Sequence, residues 1–150
     1  MPQPFDPQEV LRLPLMATLC TLAEDGAPRS APCWFAWEEA ALWLLSDRGA
    51  SSARRIAGDA RVSVEIVDYD NPAGRLRHLG LRGTATVEPM DQSLFRRLLT
   101  RHLGAPETWN PWFIDNVARI DAPDGRLIRV APDSIFTNDV SYFRTGPDLA

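Results

Sequence analysis

Short apolar runs broken by turn-forming residues govern what this chain can build. Ala17 to Ala23, Arg29 to Trp37, Ala41 to Ser46, Arg61 to Val67, Arg77 to Val87, Arg126 to Val130 and Ser134 to Thr137 are each of strand length. Asp25-Gly26, Glu38 to Ala40, Asn71-Pro72 and Pro123-Asp124-Gly125 stand between or after them as turn signals. In the second run, Ala31, Cys33, Phe35 and Trp37 share one face of a strand, and Ser30, Pro32, Trp34 and Ala36 the other. Pro32 has no N–H to give a ladder, which predicts an edge or a gap there. Gly80 and Gly83, inside the fifth run, predict a bulge or a close backbone approach.

Helical patterns are fewer. Pro7 to Leu13 and Ser51 to Ala57 suit short helices. Asp91 to Leu103 is the strongest candidate: Asp91 stands at the N-cap, Leu94, Phe95, Leu98, Leu99 and His102 recur at helical spacing, and Gly104 stops the run. His102 reads as a packed or surface helix residue. Trp112 to Ala118 is a further helix. Most strands adjacent in sequence can pair antiparallel. The pattern predicts a mostly β chain in one domain, residues 1–150. Its architecture is a small β-barrel of six to seven antiparallel strands, with a short crossover helix after the third and further helices in the C-terminal half.

Composition narrows the function classes. With 45% hydrophobic residues in 150, the chain can bury one real core. The net charge of −4 lacks the basic excess of a nucleic-acid binder. All 16 basic residues are Arg, so no Lys can form a Schiff base and PLP-type covalent chemistry is excluded. His78 and His102 lie in different elements, and neither His-x-x-His nor Cys-x-x-Cys occurs, so no metal site is expected. Cys20 and Cys33 read as small buried hydrophobes; their runs form a hairpin that could also bring them together as a redox pair. Asp68-Tyr69-Asp70 reads as an acidic, solvated turn rather than a cation cage. No signal peptide or membrane-spanning run is present, and a soluble cytoplasmic protein is expected.

The chemistry gathers at residues 44–67. An apolar strand ends at Ser46 and Asp47, a small-residue loop follows, and Ser51 and Ser52 open a short helix carrying Arg54 and Arg55. Hydroxyls, free backbone N–H groups and guanidinium groups where a strand turns into a helix form a generic anion site. A polar loop with Ser51 as N-cap would look the same. Walker A, Gly-x-Gly-x-x-Gly and Gly-x-Ser-x-Gly patterns are all absent.

Several of these segments, in order, resemble the FMN-binding split β-barrel family typified by pyridoxamine 5′-phosphate oxidase, of the general-stress-protein or flavin-nucleotide-binding type. They are Ala17 to Leu22 with Asp25-Gly26-Ala27-Pro28, Pro32-Cys33-Trp34-Phe35, Leu42 to Ser46, Ser51-Ser52-Ala53-Arg54, Asp59 to Val64 and Leu81 to Val87. The resemblance implies an FMN phosphate held at Ser46, Asp47, Ser51 and Ser52, with Arg55 able to add charge. It puts the flavin ring along the second strand near Arg29, Ser30, Pro32 and Cys33, and a flavin-contacting side chain at His78. It further implies a homodimer with the cofactor at the subunit interface, where Trp109 or Trp112 of a partner could cover the ring. The likeness departs at Ser51-Ser52, where many members carry a basic pair; Arg48, Arg54 or Arg55 can substitute. The substrate-binding Arg and His of true pyridoxamine 5′-phosphate oxidases have no match, so that activity is not expected. The expected function is a flavin-dependent oxidoreductase of unknown substrate. Its rivals are a non-enzymatic flavin-binding stress-response dimer and a binder of deazaflavin F420 or haem in the same cleft.

Overall fold

The computed structural model describes residues 3–46, 51–118 and 125–142. Six strands form a closed barrel: β1 (Met16–Leu22), β2 (Pro28–Glu38), β3 (Ala41–Ser46), β4 (Arg61–Asp70), β5 (Arg75–Pro89) and β6 (Arg126–Asp139). Their order around the barrel is β1-β2-β3-β6-β5-β4, every pairing antiparallel, and β1 closes on β4. Helix α1 (Gln8–Leu11) precedes the barrel, and α2 (Ser51–Gly58) joins β3 to β4. Between β5 and β6 come α3 (Gln92–Leu103), a 3-10 turn (Pro106–Thr108) and α4 (Pro111–Ala118). Among the described residues no helix is long and apolar enough to cross a membrane.

The expected edge is found: Pro32 pairs with Thr18 in the stretch of β2 that has a single neighbour, and the strand changes partner two residues later, after Trp34. Residues 28–34 pair with β1 and residues 35–38 with β3. The β2–β3 turn places Glu39 and Ala40 at φ 53° and 55°, so two non-glycine residues sit in the left-handed region that a tight hairpin demands. The expected sixth and seventh strands are one strand. β6 runs on through Pro132, and a register shift opposite Arg82 and Gly83 absorbs the irregularity as a bulge.

Inward-facing Leu19, Phe35, Leu44, Ile66, Leu79 and Ile128 fill the barrel. The opposite faces of β2 and β3 are also covered. Phe95, Leu99 and Trp109 pack with Trp34, Leu45 and Met90, and Leu94 packs beside Ala36 and Leu127. Burial on both faces explains why Ala41 to Leu45 reads as a continuous apolar run rather than an alternation. The caps expected on α3 are present: Asp91 Oδ1 accepts the Leu94 N–H at 3.1 Å, and Gly104 ends the helix at φ 82°.

Asp68 corrects the reading of an acidic turn. It lies in β4 on the inward stripe Val62-Val64-Ile66-Asp68 and is only 4% exposed. Its Oδ2 accepts from Arg75 Nε, Arg77 Nε and Arg77 Nη2 at 3.1, 3.0 and 2.6 Å. Arg77 also reaches Glu9 of α1 at 2.9 Å. The apolar stripes thus end in an ionic seal at the foot of the barrel.

His102 performs a structural task at the end of α3. The β1–β2 ladder stops at Met16 opposite Trp34, and His102 Nε2 meets the next residue, lying 3.1 Å from the Phe35 carbonyl and 3.4 Å from its nitrogen. The ring stacks on Trp34 at 5.1 Å. Burial holds its pKa below the ordinary imidazole value, the Phe35 carbonyl opposes that, and the Arg101 charge adds to the lowering. The unfolded chain therefore binds the proton more readily than the native one. Stability is full above about pH 6.5 and declines as pH falls from there through the lowered native value. Chemical denaturation from pH 8 to pH 5.5 should show this slope, and His102→Gln should flatten it; an unchanged slope would exclude His102 as its source.

Candidate functional site

The site begins where β3 gives way to α2. Ser46 ends the strand almost buried, at 6% exposed. Ser51 and Ser52 open the helix, the first exposed and the second half-buried. Asp47 lies outside the described residues. The helix is fixed from below by Ile56, which enters the barrel core, and by Arg55, whose Nε donates to the buried Thr21 Oγ1 at 2.7 Å. Arg54 is exposed and makes no hydrogen bond or ion pair among the described residues. Between α2 and the β1–β2 hairpin runs a groove of about 840 Å³, where Ser51, Arg54, Arg55 and Arg61 are joined by the acidic Glu24, Asp25 and Asp59. Asp59 grips Arg61 at 2.7 Å, and that hydrogen bond pulls the Asp59 carboxyl down to about 2.

The groove leads onto the outside of the barrel. A second cavity of about 460 Å³ shares Leu22 and Arg61 with the first, and a third of about 370 Å³ shares Cys20, Ser63 and Arg82 with the second. Together they form one trough from Ser51 to His78. Strand register explains its lining. Ser30, Cys20, Ser63, Arg82 and Ser134 are cross-strand partners in one outward row; Pro32, Thr18, Glu65, Gly80 and Phe136 form the next. At the far end His78 Nε2 stands 3.5 Å from Glu65 Oε1, and its ring meets Phe136 edge to face at 6.0 Å.

The expected site residues divide accordingly. Ser51 and Arg55 line the groove, His78 lines the far cavity, and Ser30 and Pro32 lie exposed on the outward rows. Arg29 belongs to the other face and, exposed near the hairpin, donates to the Pro28 carbonyl at 3.1 Å. Cys33, opposite Ala17, packs against the barrel core and turns its side chain away from the trough. Cys20 faces outward, so the two cysteines lie on opposite sides of the sheet and form no redox pair. Trp109 is 9% exposed in the second core, its Nε1–H on the Gly104 carbonyl at 2.9 Å, so it cannot cover a ring in another subunit. Trp112 is 63% exposed. Sequence reading missed Arg61, Glu65, Gly80, Arg82 and Phe136. The usable signal was their common parity with Thr18 and Cys20 once the strands are paired.

The donor set suits a phosphorylated ligand. An eight-residue helix presents its N-terminal N–H groups and two hydroxyls, with the exposed Arg54 guanidinium one turn on. A family model described as pyridoxamine 5′-phosphate oxidase matches residues 7–139. Among solved structures, an F420 reductase is 25% identical, covering 89% of this chain and 98% of its own, with a TM-score of 0.68. The conserved hypothetical protein Rv2991 of Mycobacterium tuberculosis is 20% identical over 91% and 86%, with a TM-score of 0.71. The haem storage protein HutZ of Vibrio cholerae is 18% identical over 89% and 92%, with a TM-score of 0.66. No curated protein sequence matches.

Proposed function

This chain belongs to the pyridoxamine 5′-phosphate oxidase family, and from that premise we propose that it is a flavin-dependent oxidoreductase that binds FMN as a homodimer. The observation that carries the reading is the continuous trough from the N-terminus of α2 to His78. Ser46, Asp47, Ser51 and Ser52 would hold the phosphate, with Arg54 and Arg55 supplying the charge that the serine pair lacks. Ser30, Pro32 and His78 would border the ring. A bound flavin supplies the redox chemistry. The chain's own residues bind the phosphate, orient the ring and keep it on an apolar-edged face. Met16, Val67 and Phe136, exposed at 50%, 37% and 47% on the outside of the barrel, are the surface a second copy would cover.

A second reading, deazaflavin F420 in place of FMN, is favoured by the F420 reductase likeness. The likeness to the haem storage protein is one of fold alone.

Ser51→Ala/Ser52→Ala should weaken FMN binding about tenfold or more, since each lost bond to a charged group is costly. Titration of flavin fluorescence measures it; unchanged affinity refutes this phosphate placement. Protein that takes up neither FMN nor F420 refutes the flavin reading. Rapid reduction of the bound flavin by NADH or NADPH separates an enzyme from a passive flavin carrier.

A further inference from the structure

The groove between α2 and the β1–β2 hairpin carries opposite charges on its two walls. Arg54 and Arg55 stand on the α2 wall, Glu24 and Asp25 on the hairpin wall. Arg61 is already neutralised, because Asp59 accepts from its Nε and Nη2 at 3.0 and 2.7 Å. Glu24 is exposed and makes no hydrogen bond or ion pair among the described residues. Asp25 is also exposed, and its Oδ1 accepts the Ala27 N–H at 3.0 Å, which fixes the carboxylate at the turn. Past the groove these two acids open onto a shallow hollow where Arg29 joins them.

The course of β1 gives the trough a direction. Cys20 lines the cavities toward His78, Leu22 joins them to the groove, and Glu24 and Asp25 come last, at the hairpin tip. A cofactor with its ring toward His78 and its phosphate at the N-terminus of α2 therefore points whatever follows the phosphate at these carboxylates. In that pose Arg54 and Arg55 serve the phosphate, and the acidic wall is left to meet the rest. FMN ends at its phosphate. Deazaflavin F420 continues past it through lactate into an oligoglutamate, which brings further carboxylates to an acidic surface. Specificity is a difference of affinities, and a repulsive element can supply it. We infer that Glu24 and Asp25 determine cofactor choice: they are a charge filter that admits a flavin ending at its phosphate and disfavours one that continues as a polyanion. The inference rests on the flavin reading and phosphate placement above, and it separates the two cofactors named there.

The test compares two deazaflavins with the same ring, ribityl chain and phosphate: F420 with its glutamates, and the same molecule cut back to its phospholactate. Each is titrated against the full chain by fluorescence, at low salt and at about 0.5 M, where charges are screened beyond about 4 Å. FMN is titrated alongside. Wild type should bind the full tail about fivefold or more weakly than the shortened form at low salt, and the gap should close at high salt. Glu24→Gln should narrow the low-salt gap, and Glu24→Arg should reverse it. Both variants should melt within about 2 °C of wild type, since Glu24 supports no contact. The salt comparison needs no variant and stands even where one folds poorly. Equal affinity for the two deazaflavins, or tighter binding of the full tail, overturns this inference and leaves the flavin reading in place. A gap that persists at high salt and in Glu24→Arg also overturns it, because bulk rather than charge then rejects the tail. Wild type that binds FMN but not the shortened deazaflavin overturns it too, since the ring then makes the choice. Wild type that binds none of the three overturns both.

Discussion

Asp68→Ala is expected to cost about 3–5 kcal/mol, the range for removing one partner of a buried ion pair. Asp68 is 4% exposed and Arg77's side chain 17%, so deletion leaves a guanidinium largely out of water. One contact survives, from Arg77 Nη1 to Glu9 at 2.9 Å, and places the result toward the lower end of that range. In a domain of this size each kcal/mol shifts the melting temperature by about 2–4 °C, so a fall of roughly 6–12 °C should appear in calorimetry. A stronger check is the double change Asp68→Ala/Arg77→Met. Removing both charges should recover part of the loss, because the penalty comes from the unpaired charge more than from the lost attraction. A double variant no better than Asp68→Ala would show that Arg77 is not the group stranded. Asp68→Asn, which keeps an acceptor oxygen but not the charge, should fall between Ala and wild type.

Asp68 also shows where the sequence became hard to read. Val62, Val64 and Ile66 announce the inward face of β4 by alternation, and Asp68 continues that parity. Its charge, next to Tyr69 and Asp70, outweighs the period and suggests solvent. Only Arg75 and Arg77, brought opposite by the β4–β5 register, reveal the burial. The barrel itself was legible because pairing follows turn chemistry and two-residue periodicity. The α3 caps were legible because they are local. β6 was divided wrongly because Pro132 looks like a break, and the compensating bulge is a property of two strands together. Ser46, Ser51 and Ser52, the residues of the proposed phosphate placement, draw notice because they are close in sequence. The far end, at Glu65, Gly80 and Phe136, is assembled from three strands and appears only when register is known. Trp109 was misassigned for a similar reason. A lone Trp after a helix looks available until Phe95 and Leu99 are seen to enclose it.

Gly83→Val should be as damaging as any single change in the barrel. A Cβ at Gly83 would stand 2.0 Å from the Ala131 carbonyl oxygen and 3.0 Å from Pro132 Cα. Both atoms are backbone, so no rotamer change relieves the clash. The bulge at Asp133 brings β6 this close: Gly83 pairs with Pro132 while Arg82 pairs with Ser134. Even Ala must force the two strands apart along their longest pairing. Overpacking costs about 1–3 kcal/mol when side chains can adjust, and a backbone collision should reach or exceed the top of that range. Gly83→Ala should therefore lower the melting temperature by roughly 6–12 °C or more, and Gly83→Val should yield little folded protein. Gly80→Ala, in the same strand and three residues away, should be neutral or stabilising. The contrast controls for helix and strand propensity, since both changes replace glycine by the same residue in β5. Equal losses at the two positions would mean that strand entropy, not the approach of β6, governs them. Deletion of Asp133 offers the complementary check. If the bulge creates the contact, a regular β6 should move the Ala131 carbonyl away, and Gly83→Ala should then cost less in that background than in wild type.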